Sequence, residues 1–123
     1  MRLWHQNLIS RLPNLQLLGQ HRELCALRGL GWNKKHSVVN FVFTYPYSYL
    51  YYFHMIVIFE MEYRGYVVDS KWKELSYRGK NIGFDYSSFT FDIKPKSFII
   101  YEEHNDIYLL ECINNLKNKN INL

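Results

Sequence analysis

The first 40 residues contain a single carboxylate, Glu23, against six Lys/Arg. That scarcity of acid leaves the segment at +5, whereas residues 41–123, with nine Lys/Arg against ten Asp/Glu, come to −1. A basic third in an otherwise balanced chain points to an anionic partner or to a solvated basic face. Cysteine is scarce too: Cys25 and Cys112 are the two in the chain, and they form no CxxC pair. This argues against a disulfide framework and a cysteine-based zinc module, and both thiols are expected to be reduced core residues of a cytosolic protein. Long hydrophobic runs are missing. The most apolar stretch, "YLYYFHMIVIF", is interrupted by His54 and closed by Glu60, too short to span a bilayer. No signal-peptide pattern, linker, repeat or low-complexity stretch precedes the Asn/Lys-rich end "NNLKNKNINL", which is expected to fray.

A chain of 123 residues with 48% hydrophobic content suits one globular domain over 1–123. Aromatics make up 18%, with 11 Tyr and 8 Phe, enough for a dense core or for stacking on bases. Apolar periodicity predicts three helices and an all-α fold with long aromatic-rich loops. The first runs from about Leu15 to Arg28, with Asn14 after Pro13 as N-cap and Gly29 and Gly31 as terminators. The second runs from about Tyr49 to Arg64, capped by Ser48 and ended by Gly65. It is apolar almost all round and is expected to be the central, most buried helix. The third starts at Asn105 or Asp106 and reaches about Asn118, with Leu109, Cys112, Ile113 and Leu116 on its apolar face. "FVFTYPYS" and "SFIIY" are expected to be extended, and one short turn is expected around Lys71–Leu75.

Within the first helix, Gln16, Gly19, Glu23 and Ala26 share a stripe at spacings of three and four. Small residues on either side of Glu23 predict a depression around its carboxylate, where a ligand or another segment can approach. An ordinary surface Glu on a solvated face is the competing reading. "WNKKHS" and "YRGK" are basic loops with aromatics interleaved, and both can track a phosphate backbone. Trp4 and His5 beside the N-terminus are candidates to stack on an extruded base, or, for Trp4, to anchor the N-terminal segment in the core. The five histidines show no HxH or HxxxH spacing, so no metal or other cofactor is expected, and His21 and His54 are read as core residues.

"MRLWH…LLGQHREL", "EYRGYVVDS" at 62–70 and "IYEEHNDIYLLECINNLKNK" at 100–119 together resemble the endonuclease V-like family of pyrimidine-dimer DNA glycosylases and abasic-site lyases, and within it a group of short prokaryotic proteins. The resemblance implies a compact three-helix domain whose N-terminal segment threads between helices. It also implies a mechanism in which an N-terminal α-amine attacks C1′ of the damaged nucleotide and forms an imine, with a helix carboxylate supporting elimination. On this chain those roles fall to Met1 and Glu23, with Arg22 the Arg of the Arg-Glu pair. The chemistry is reasonable. An α-amine titrates at about 7.7–8.0 against about 10.4 for Lys, so near neutral pH a useful fraction is an unprotonated nucleophile. Arg22 can clamp a phosphate bidentately.

The remaining DNA contacts are assigned to Arg2, Lys34, Lys35, His36, Arg78 and Lys80. The implied partner is double-stranded DNA, damaged or abasic, met by a monomer in the cytoplasm at the nucleoid. Two function classes stay open. One is a base-excision repair glycosylase/lyase; the other is a non-catalytic DNA-binding homologue on the same scaffold. Position 2 separates them, because Arg2 is too bulky for the usual removal of the initiator Met and leaves the amine on Met1.

Overall fold

The computed structural model describes residues 2–30, 38–86 and 93–123. Three α-helices carry the fold: α1 (Asn14–Arg28), α2 (Tyr47–Tyr63) and α3 (Asp106–Asn118), with 3-10 turns at Gln6–Arg11, Asn40–Thr44 and Ser70–Lys73. Among the described residues there is no strand, only an isolated antiparallel bridge between Tyr77 and Phe84. The architecture is all-α. Among the described residues no helix is long and apolar enough to cross a membrane.

α2 is the most buried helix, as its near-uniform apolarity predicts. Leu50, Phe53, Met55, Val57, Ile58 and Met61 enter the core, and only Phe59 and Tyr63 stand well out of it. α1 adds Leu17, Leu24 and Leu27, and α3 adds Cys112 and Leu116. The N-terminal segment completes this core rather than trailing from it: Leu3, Trp4, Leu8, Ile9 and Leu12 are all buried. It runs between α1 and α3. Gln20 of α1 holds its backbone on one side, and on the other the Tyr108 hydroxyl donates to the Leu3 carbonyl at 2.6 Å. The segment before α3 is pinned by aromatics, with the buried Tyr101 ring meeting Phe41 and Tyr45 edge-on at 5.3 and 4.9 Å.

Helix ends depart from the expected caps. Pro13 and Pro46 occupy the N-cap positions of α1 and α2, with no side-chain capping bond. Asn14 instead accepts from Arg64 at 2.9 Å, and Ser48 is buried with its hydroxyl donating to the Ile93 carbonyl at 2.6 Å. Asn105 does cap α3, its side chain accepting from the Tyr108 amide at 2.9 Å. "FVFTYPYS" is not extended throughout. Only Tyr45, before Pro46, takes extended angles, because the proline clash acts on its immediate predecessor. Asn40–Thr44 forms a 3-10 turn, and the Thr44 hydroxyl donates to Phe41 at 2.7 Å. "SFIIY" is a series of bends.

Two helix ends close with the same bond pattern. After α2, Gly65 at φ +96° lets Tyr66 donate to Met61, and after α3, Asn120 at φ +62° lets Ile121 donate to Leu116. The chain after α3 is therefore anchored at its start, not frayed from Asn114, and Ile121 packs against the core.

Candidate functional site

Between the N-terminal segment, α1 and the end of α3 lies a cavity of about 380 Å³ lined by Arg2, Trp4, Gln16, Gly19, Gln20, Glu23, Asn115 and Lys119. The depression expected around Glu23 is present, with Gly19 at its edge. A Cβ added at Gly19 would sit 3.8 Å from an Arg22 guanidinium nitrogen, so Arg22, exposed on α1, reaches back over the glycine at the rim. Ala26 is not part of this depression. It lines a second cleft with Cys25, Gly29, Trp72, Arg78 and Lys80.

The chemistry of the cavity centres on Gln20, which is 1% exposed. Its Oε1 accepts from the Trp4 amide at 2.7 Å, while its Nε2 donates to the Arg2 carbonyl at 3.2 Å and to Glu23 Oε2 at 3.1 Å. One side chain therefore fastens the start of the chain to the carboxylate. Burial pushes the Glu23 carboxyl above its ordinary range; the N-terminal amine, Arg22 and Lys119, together with a backbone hydrogen bond from Arg2, pull it back down. That carboxylate is half-buried among positive charges, a setting in which it can stabilise a cationic sugar or take a proton from it.

Trp4 anchors the segment: the residue is 6% exposed, with the Arg2 guanidinium 6.0 Å and the Lys119 ammonium 5.4 Å from its ring centroid. His5 lies outside the cavity and in the core. Its ring stacks on His104 at 5.1 Å and its Nδ1 accepts from the Asn7 amide, so no face is offered to a base. The Arg2 side chain reaches Glu111 at 3.4 Å and passes over Tyr108. Arg78 and Lys80 both line the second cleft. Arg78 is also used internally, donating to the Arg28 carbonyl at 2.7 Å and stacking over Tyr47 at 4.0 Å, whereas Lys80 is exposed. Met1, Lys34, Lys35 and His36 lie outside the described residues.

His21, Cys25 and His54 bring three ligand atoms within 4.8 Å of one another, a grouping that spacing along the chain does not announce, since His54 comes from α2. Its protonation argues for a hydrogen-bond relay. A guanidinium can only donate, so Arg28 Nη1, 3.0 Å from His54 Nδ1, makes that nitrogen an acceptor. The proton of His54 then sits on Nε2 and points to His21 Nδ1 at 2.8 Å. A metal would find a proton there instead of a lone pair. The Cys25 thiol is pushed up to about 12 by burial, far from a thiolate ligand at neutral pH.

Gln20, Asn115 and Lys119 are the members of the cavity that sequence reasoning missed. For Gln20 the one local signal is its i,i+3 spacing to Glu23, and for Lys119 it is Asn120 as the left-handed residue that ends α3.

The cavity thus sets a basic N-terminal segment against one helix carboxylate. The family described as pyrimidine dimer DNA glycosylase matches this chain over residues 1–74. The chain belongs to this family, and membership implies glycosylase action on DNA. Neither the curated proteins nor the solved structures gave a match. The family match includes Arg2, Trp4, Gln20, Arg22 and Glu23; the chain beyond it supplies Asn115 and Lys119 to the same cavity.

Proposed function

We propose that the protein is a base-excision repair DNA glycosylase with abasic-site lyase activity, acting on double-stranded DNA through its N-terminal amine. The nucleotide is extruded from the stack so that C1′ enters the Glu23 cavity. The unprotonated amine of Met1 attacks C1′, the glycosidic bond breaks, and the base departs with the bonding electrons and a proton. Ring opening gives an imine. Glu23 takes a proton from C2′, and the electron pair expels the 3′ phosphate. Hydrolysis of the imine then frees the amine. Arg22 at the rim is placed to hold a phosphate, and the surrounding cations neutralise the strand. A cytoplasmic site of action at the nucleoid goes with this reading.

The observation that carries the proposal is the shared amide of Gln20, bonded at once to the Arg2 carbonyl and the Glu23 carboxylate. Residue 1 is covalently joined to Arg2, and consecutive Cα atoms are about 3.8 Å apart, so the amine has only one residue to reach across. Borohydride trapping on abasic-site duplex tests it. A covalent adduct is expected between about pH 6 and 9, the range that brackets the α-amine pKa, and peptide mapping is expected to place it on residue 1. Mapping matters because Lys119 offers a second amine in the same cavity. Acetylation of the N-terminus is expected to abolish trapping. Absence of any adduct in the unmodified protein overturns the lyase and leaves the binding homologue, whose salt-dependent affinity for DNA would persist.

A further inference from the structure

We propose that Gln20 is a positioning residue: its one buried amide holds the backbone of Arg2 and Trp4 in register with the Glu23 carboxylate. The inference rests on the reading of Glu23 and the N-terminal amine as a working pair, and it goes beyond that reading by naming what keeps them together.

Three geometric facts support it. The amide's orientation is fixed by its partners, because the Trp4 N–H must meet an acceptor and the Arg2 carbonyl must meet a donor. With Oε1 committed to Trp4, both Nε2 protons face the site, one for Arg2 and one for Glu23. The side chain is almost fully buried, so loss of the amide leaves the Trp4 N–H and the Arg2 carbonyl to desolvated surroundings. Neither a carboxylate nor an aliphatic chain can do the same work. Glu at this position presents acceptors to an acceptor carbonyl and places like charge beside Glu23; Met fills the volume and offers no proton. The bond to Glu23 is also directional in its chemistry. A donated N–H favours the carboxylate over the acid, which keeps Glu23 ready to accept a proton despite its burial.

The test does not depend on turnover. The Glu23 side-chain carboxyl carbon is titrated by NMR in the full-length wild-type protein and in Gln20→Met and Gln20→Glu. In Gln20→Met the Glu23 midpoint is expected to rise by about one pH unit, the effect of losing one hydrogen bond to a charged acceptor, and in Gln20→Glu it is expected to rise further. A folded Gln20→Met variant with an unchanged midpoint overturns the proposal. Should the variants fail to fold, the wild type decides: the side-chain amide protons of Gln20 and the backbone amide of Trp4 are expected to shift with the Glu23 midpoint, and flat signals through that titration overturn it. Where trapping on abasic DNA succeeds, Gln20→Met is expected to move the acidic limb of the cleavage profile upward. Failure of trapping in the wild type removes the enzymatic reading alone, since the titrations judge Gln20 without it.

Discussion

Arg28 Nη1 stands 3.0 Å from His54 Nδ1, and the guanidinium is buried with no carboxylate pairing it among the described residues. Its charge is met by neutral oxygens instead: the carbonyls of Trp72, Glu74 and Tyr77 at 2.8–2.9 Å and the Tyr47 hydroxyl at 2.9 Å, with the Trp72 and Tyr51 rings on its faces. One residue of α1 thus fastens the 70–77 segment to the helix pair. Arg28→Met is expected to destabilise the fold by about 3 kcal/mol or more, because several buried carbonyls lose their donor together. Arg28→Lys should rescue little, as an ammonium cannot present the planar fork. Urea unfolding at neutral pH measures both.

The same burial makes the protein acid-labile. Desolvation, then the nearby Arg28 and His21, hold His54 well below its ordinary range, and desolvation, then His5, lowers His104 to about 3. Both rings are neutral in the folded state while the unfolded chain takes up protons near pH 6.5. Stability is therefore whole above about pH 6.5 and falls as pH drops toward the folded values, at up to about 1.4 kcal/mol per unit for each ring. Urea midpoints taken between about pH 7.5 and 4.5 check the slope over that window. A flat profile over that range would show that neither ring is held neutral.

Much of this fold is written in local pattern, and much of the site is not. The three helices follow from apolar periodicity and from Gly65, whose positive φ no longer side chain adopts easily. The caps misled because proline at 13 and 46 took the positions that Asn14 and Ser48 would otherwise fill, and each polar side chain found a distant partner. Glu23 stood out as the lone acid in a basic segment. Gln20 did not, since its decisive partner, the Trp4 amide, lies 16 residues away and a glutamine on a mixed helix face looks solvated. Lys119 sat in a stretch whose composition suggests fraying; a single left-handed Asn120 fixes it over Trp4. Long-range backbone bonds and one unusual φ leave no periodic trace.

Glu23→Gln separates stability from activity. Burial raises the carboxyl, so the folded state prefers it protonated and bears a cost at any pH where it is ionised. The neutral amide removes that cost. The variant is expected to melt higher than wild type at pH 7, with the advantage shrinking as pH falls through the Glu23 titration and gone below the unfolded value near 4.3. Imine trapping is expected to persist while strand cleavage slows by about 10²-fold or more, the usual contribution of a positioned base. A variant that melts lower at pH 7 contradicts the electrostatic account, whatever its activity.

Lys119 provides the last discrimination. It is exposed at the C-cap of α3, its ammonium over Trp4 and its charge acting on Glu23. Duplex DNA binding by the whole protein is expected at micromolar order and to weaken steeply with salt, as counterion release requires. Lys119→Met should weaken it and lower the salt slope by about one, the signature of a lost phosphate contact. Charge reversal at Lys34 and Lys35 should do the same from the basic segment after α1. Lys119→Met also removes a positive charge that favours ionised Glu23, so the Glu23 titration should shift upward. If Lys119→Met changes neither the salt slope nor the Glu23 midpoint, the ammonium serves only to cover Trp4 and takes no part in the site.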